Sequence, residues 1–79
     1  MMRNRVETLA RAILGGMEHD CPGCLHVFIR NITVTEAETK SKLVAWDVKN
    51  MDGDDLIRLT FADRLGRVVE EMIIETPNH

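Results

Sequence analysis

The C-terminal half of the sequence contains three runs rich in β-branched, aliphatic and aromatic residues, separated by two short clusters that contain Asp and Gly. The runs are residues 43–50, 56–62 and 67–76, and the clusters are residues 51–55 and 63–66. β-Branched and aromatic side chains favour strands, and Asp-Gly favours the tight turn of a hairpin. This stretch therefore predicts three antiparallel strands in sequence order, which the remaining residues cover or extend.

An amphipathic helix is predicted over residues 4–17. Asn4 followed by Glu7 has the form of a helix-capping box, and Gly15-Gly16 marks the end of the periodic segment. Apolar residues recur at spacings of three and four on one face of this segment, at Val6, Leu9, Ala10, Ile13, Leu14 and Met17. Such a one-sided stripe packs on a sheet or on another helix.

Residues 25–35 predict a further strand because they are rich in β-branched residues. Their apolar side chains change face near Arg30-Asn31, which a β-bulge would accommodate. The polar residues 36–42 predict either a long hairpin loop or one helical turn. Together these assignments predict an α+β fold in one domain, residues 1–79, with one N-terminal amphipathic helix packed on a four-stranded antiparallel β-meander.

The predicted fold leaves apolar surface that its single helix does not cover. The chain has 79 residues, of which 44% are hydrophobic and only three are aromatic, so its core is thin and mostly aliphatic. One helix of about four turns is too small to cover a four-stranded sheet. We therefore expect a homodimer that forms through the helix or through the uncovered side of the sheet.

The charged residues have a small acidic surplus, with a formal net charge of −3. Nucleic-acid binders usually carry a basic surplus, so this balance disfavours a nucleic-acid partner and fits a basic protein partner. No apolar run approaches the roughly 18 residues that span a bilayer, and no membrane partner is expected. Glu7 and Arg11 interrupt the apolar character that a signal peptide would need, so the expected location is the cytoplasm.

Two cysteines and two histidines lie close together in the sequence. His19, Cys21, Cys24 and His26 offer the thiolate and imidazole groups that zinc binds, so zinc is a possible cofactor. Three interpretations stay open, namely a zinc site, a disulfide or redox pair, and two ordinary loop thiols. The redox interpretation is disfavoured because the pair follows a predicted helix, whereas reactive Cys-x-x-Cys pairs follow a strand and lie at a helix N-terminus. The intervening Pro-Gly dipeptide predicts a type II turn.

Acidic residues are concentrated in two polar connections of the predicted meander. Asp52, Asp54 and Asp55 lie in a hairpin turn, and Glu36 and Glu38 lie in the predicted loop. The Asp cluster lacks the later Glu that completes a calcium-binding loop, so it is a solvated turn or a contact point for a basic partner. These five residues are the predicted partner-binding positions.

No pattern in the sequence predicts catalysis. The chain has a single Ser, Ser41, and no Gly-rich phosphate loop. Glu70 and Glu71 are adjacent on a predicted strand, so their carboxylates point to opposite faces and cannot act as a pair. We therefore expect that the protein is not an enzyme.

One hairpin resembles part of a known family. Residues 56–71, Leu-Ile-Arg-Leu-Thr-Phe-Ala-Asp-Arg-Leu-Gly-Arg-Val-Val-Glu-Glu, resemble the closing hairpin of NTF2-like cone-shaped proteins, over about a fifth of the chain. The resemblance implies a small NTF2-like domain that binds a ligand or acts as an enzyme.

The function that the sequence favours is protein binding without catalysis. A small acidic chain with protruding acidic turns fits an inhibitor or adaptor that acts through an acidic surface, such as the inhibitors that phages and mobile elements encode. The alternatives are a zinc-binding regulatory or sensor protein that uses the Cys21 and Cys24 loop, and the NTF2-like domain.

Overall fold

The computed structural model of the chain describes residues 4–15, 21 and 23–77. Its elements follow in the order helix α1 (Arg5–Leu14), helix α2 (Cys24–Thr39), strand β1 (Lys42–Met51), strand β2 (Asp54–Ala62) and strand β3 (Val68–Pro77). The three strands form one antiparallel sheet in the order β1-β2-β3. The α+β class and the antiparallel meander of the C-terminal half are therefore confirmed.

The prediction of a fourth strand and of a single helix is wrong, because residues 25–35 belong to α2. The buried side chains of this segment are Phe28, Ile32 and Thr35, whose spacing of four and three residues is that of one helix face. The apolar side chains of this segment follow the helical period of about 3.6 residues. When the same residues are assigned to a strand, with its two-residue period, their apolar side chains change face, and this change suggested the bulge. Of the two alternatives for residues 36–42, a long hairpin loop is wrong and the helical turn is correct for residues 36–39, since α2 continues to Thr39.

Helix α1 is capped at both ends, although it is shorter than the predicted span. The side-chain oxygen of Asn4 accepts a hydrogen bond of 2.7 Å from the backbone N–H of Val6. Gly15 has a φ of 58°, and its N–H donates to the carbonyl of Arg11 over 2.9 Å. The buried residues of α1 all belong to the predicted apolar stripe: Val6, Ala10, Ile13 and Leu14. The last residues of the predicted helix lie outside the described residues.

Helix α2 ends in a Schellman motif in which Lys40 stands where Gly is usual. Lys40 has a φ of 52°, and the N–H of Ser41 donates to the carbonyl of Glu36 over 3.1 Å. The hydroxyl groups of Thr39 and Ser41 also hydrogen-bond to each other. The Glu36 carboxylate then accepts a hydrogen bond of 2.6 Å from the N–H of Leu43. These bonds tie the start of β1 to the end of the helix.

A two-residue turn joins β1 to β2, as the sequence predicts. Asp52 and Gly53 have φ values of 52° and 84°, and a type I′ hairpin turn requires positive values at both positions. Met51 and Asp54 face each other across this turn, which sets the register of the whole β1–β2 ladder.

The chain divides into two compact units, Met1–Thr35 and Glu36–His79. In the second unit, β2 is the central strand of the sheet, and its residues Ile57, Leu59 and Phe61 are 0% exposed. Their ladder neighbours on the same face are Leu43, Trp46 and Val48 in β1 and Glu70, Met72 and Ile74 in β3. Alternation within residues 43–50 places Trp46 on one face with Val44 and Val48 and predicts a core position for it, yet Trp46 is 41% exposed.

We expect Glu36→Ala to lower the free energy of unfolding by about 1.5–3 kcal/mol, because it removes a charge-assisted hydrogen bond to the first residues of β1. Glu38→Ala is the matched control, since Glu38 is exposed and lies two residues further along α2. Its effect should stay within about 0.5 kcal/mol. Urea unfolding followed by circular dichroism measures both variants, and equal losses would contradict this role of Glu36.

Candidate functional site

The two cysteines form a disulfide at the start of α2. Cys21 and Cys24 are bridged with their Cα atoms 5.5 Å apart, and Cys24 is the first residue of the helix. The N–H of Cys24 donates to the carbonyl of Cys21 over 3.0 Å, and Gly23 has a φ of 96°. Both features are those of the predicted type II turn.

Of the four predicted zinc ligands, the structure brings two together, as a disulfide rather than as a pair of thiolates. His26 is exposed in the first turn of α2, and His19 lies outside the described residues. Zinc binds thiolate sulfur, so this oxidised pair offers no cysteine ligand. Within residues 4–15, 21 and 23–77, no group of three His, Cys, Asp or Glu side chains is placed to hold a metal ion.

The five predicted partner-binding carboxylates do not form one surface. Glu36 bonds to the start of β1, whereas Asp52 follows its end, about 26 Å away along an extended strand. Asp55 is 9% exposed and accepts a hydrogen bond of 3.0 Å from the side-chain amide of Asn50. Glu36 and Asp55 therefore have structural contacts. Asp52 and Glu38 are exposed and Asp54 is half-buried.

One face of the sheet carries a shallow depression that all three strands line. We call this surface the open face. Its volume is about 220 Å³ and its lining residues are Asp47, Lys49, Met51, Leu56, Arg58 and Ile73. In the ladder, Asp47, Arg58 and Ile73 stand side by side across the three strands, and Lys49 stands beside Leu56.

The open face combines exposed apolar side chains with charges of both signs. Ile73 is 67% exposed and Met51 is 51% exposed. Arg58 and Asp47 face each other in the ladder, yet neither makes an ion pair with another residue of the described part of the chain. Glu71 and Glu75 stand two residues either side of Ile73 and so share its face.

The outer edges of the sheet carry features that discourage strand addition. No further strand pairs with β1 or β3 among the described residues. The register shifts at Val44 in β1 and at Val69 in β3, which marks a β-bulge in each edge strand. Bulges and charged residues on edge strands hinder pairing with another strand. The edges are therefore poorly suited to the addition of a strand from another chain.

Sequence reasoning did not identify the open face, although part of its signal was present. Strand alternation already placed Arg58 away from Ile57 and Leu59, and it placed Ile73 away from Met72 and Ile74. Combining this alternation with the register that the Asp-Gly turn imposes on β1 and β2 would have brought Arg58 and Asp47 to one face.

A carboxylate with a shifted pKa lies in the turn between β2 and β3. Hydrogen bonds from the backbone N–H groups of Arg67 and Leu65, each 2.9 Å, lower the pKa of Asp63 below its usual 3.8, and the Arg67 guanidinium adds to the effect. The Nε of that guanidinium donates to the second carboxylate oxygen over 3.0 Å. The Asp63 carboxylate therefore stabilises the turn by accepting these three hydrogen bonds.

No protein-family model, curated protein or solved structure matches the chain. Among the described residues, neither helix has the length and apolar character that crossing a membrane requires.

We expect Asp63→Asn to destabilise the protein at neutral pH, and the effect to shrink in acid. A lowered pKa means that folding favours the carboxylate. Its contribution is therefore present above the usual pKa of 3.8 and is lost as the pH falls through the lower pKa of the folded state. Urea unfolding of both proteins across this acid range measures the difference.

Asp47→Asn is the control for this titration, because the Asp47 side chain is exposed and makes no hydrogen bond to another described residue. It should change the free energy of unfolding by no more than about 0.5 kcal/mol at neutral pH. A loss from Asp63→Asn that is as large in strong acid as at neutral pH would contradict the assigned role of the carboxylate.

Proposed function

We propose that the chain is a non-catalytic protein-binding module and that the open face is its binding surface. The observation that carries the proposal is the depression across the three strands, in which the exposed Ile73 stands in one row with Arg58 and Asp47, and the exposed Met51 lies four residues along β1 from Asp47. As an inhibitor or adaptor of the kind that the sequence favours, the protein would act in the cytoplasm.

The apolar side chains of the open face supply the affinity in this proposal. Ile73 and Met51 are more than half exposed in the free chain. Fully burying such a side chain contributes about 1.5–3 kcal/mol. Binding gains only the share of this free energy that corresponds to the surface still exposed in the free chain. Large apolar side chains grouped on one exposed surface often mark a protein-interaction site.

The charges of the open face supply specificity. Arg58 lies centrally, with Ile73 on one side and Asp47 on the other. Arginine is common among the residues that dominate binding energy, because its planar guanidinium pairs with carboxylates through two hydrogen bonds. The partner in this proposal places an apolar side chain in the depression and a carboxylate opposite Arg58 or Lys49.

The composition of the depression supports a binding role over a catalytic one. Its lining residues include no Ser, Cys or His, and the two lining groups that could act as a base, Asp47 and Lys49, are exposed to water rather than enclosed beside a nucleophile. Asp52 follows Met51 in the turn and is exposed at the end of this surface. In the proposal, Asp52 attracts a basic region of the partner toward the open face. Asp52 is thus one residue of the acidic surface predicted from the sequence that keeps a role in binding.

We expect Ile73→Asp to abolish capture of the partner, because it places a carboxylate in the depression where an apolar contact is needed. The measurement is affinity capture from a lysate of the source cells with tagged full-length protein, followed by quantitative mass spectrometry. A partner retained by the parent chain should fall at least tenfold with Ile73→Asp, corresponding to about 1.4 kcal/mol.

Leu65→Asp is the matched control for this capture experiment. Leu65 is 76% exposed in the turn between β2 and β3, and it does not line the depression. The same partner should bind this variant as it binds the parent chain. Loss of the partner with Leu65→Asp and retention with Ile73→Asp would refute the open face as the binding surface.

A second copy of the chain is one partner that the open face fits. Lys49 and Arg58 share it with Asp47, Glu71 and Glu75, so two copies related by a two-fold axis can oppose unlike charges. We expect sedimentation equilibrium at micromolar concentrations to show that the average molecular mass rises reversibly with concentration, toward twice the chain mass of 9.0 kDa. Ile73→Asp should remain at one chain mass. A single 9.0 kDa species for the parent chain would contradict the homodimer.

A further inference from the structure

The proposed binding surface makes no use of the disulfide between Cys21 and Cys24. Its two sulfurs are separated by only three positions in the sequence. The stabilisation that a disulfide provides by restricting the unfolded chain increases with the length of the loop it closes. A bridge across so short a loop therefore stabilises the fold less than one between distant elements would.

A backbone hydrogen bond, as well as the disulfide, holds the two cysteines near each other. The turn is closed by the hydrogen bond of 3.0 Å from the Cys24 N–H to the Cys21 carbonyl. Gly23, with its φ of 96°, supplies the left-handed conformation that the turn needs. A reduced pair would accordingly remain in position to form the disulfide again.

The start of α2 favours a negatively charged sulfur at Cys24. Cys24 is the first residue of a 16-residue helix, and the first turn contains no acidic residue. Backbone N–H groups in a first helical turn lack acceptors within the helix, and the helix dipole is positive at this end. Both effects stabilise a thiolate. The sequence-based objection to a redox pair therefore no longer holds, because the pair follows one helix and also begins the next.

Reagents in solution can reach the disulfide. Cys21 and Cys24 are each half-buried, and Gly23 between them is exposed. Thiol–disulfide exchange requires such access, because the attacking sulfur must approach one of the two bonded sulfurs.

We propose that Cys21–Cys24 is a thiol–disulfide exchange site whose substrates are external thiols. A thiolate attacks the Sγ of Cys21, the S–S bond breaks, and its electron pair leaves with the Sγ of Cys24 as a thiolate. A second external thiolate then attacks the external sulfur of the mixed disulfide and releases the Cys21 thiolate, which takes a proton from water. Two thiols are thereby oxidised to one disulfide, and the cysteine pair gains two electrons.

The equilibrium experiment incubates the full-length protein in buffers with varied ratios of reduced to oxidised glutathione. Alkylation of free thiols followed by mass spectrometry gives the reduced fraction. We expect a reversible two-electron transition, reached from the oxidised and from the reduced protein alike. A disulfide that persists in excess reduced glutathione is a structural bridge, and that result would overturn the proposal. A pair that stays reduced in excess oxidised glutathione would also overturn it.

The kinetic experiment tests the contribution of the helix start with tris(3-hydroxypropyl)phosphine, a neutral phosphine, because a thiol reductant attacks as a negatively charged thiolate that an added carboxylate would repel. His26→Glu adds a carboxylate to the first turn of α2, and Thr33→Glu adds one at an exposed position further along the same helix. We expect His26→Glu to slow reduction about two- to fivefold and Thr33→Glu to leave the rate unchanged. Equal rates in the two variants would show that the helix start does not activate the disulfide.

Discussion

The pairing of β2 on both of its sides is the constraint on which the rest of the sheet depends. The strand lies between β1 and β3, and Ile57, Leu59 and Phe61 are removed completely from solvent. Fully burying each of these side chains contributes about 1.5–3 kcal/mol. Because side chains alternate along a strand, Leu56 and Arg58 lie on the face opposite these three buried residues. The open face is therefore a direct consequence of how the core is built.

The sequence predicted the three strands of the C-terminal half because their signals are local, whereas its fourth strand was wrong. The Asp52-Gly53 pair fixes a two-residue turn, and that turn fixes the register of the β1–β2 ladder. Alternation also assigned Ile57 inward and Arg58 outward. Exposure was harder to predict: Trp46 shares a face with the buried Leu59, yet it remains 41% exposed. The exposure of an edge strand depends on neighbours that its own sequence does not specify.

Helix α2 was missed because its local signals favour other structures. β-Branched residues are frequent in it, and they favour strands when packing is unknown. Its end is set by Lys40 in a left-handed conformation, where Gly would have been a recognisable stop signal. The state of Cys21 and Cys24 could not be predicted either, because the same residue types at this spacing suit a metal, a disulfide or free thiols. Only the position of Cys24 at the start of a helix distinguishes a reactive pair.

The central claim is that the open face contacts the partner, and methyl NMR of the labelled protein during titration with the captured partner tests it most directly. The account predicts that the methyl signals of Met51, Leu56 and Ile73 shift or broaden together. The signals of Leu65, in the turn between β2 and β3, and of the fully buried Ile57 should change little. Changes confined to the helices or to the turn that contains Leu65, with the open face unaffected, would contradict the claim.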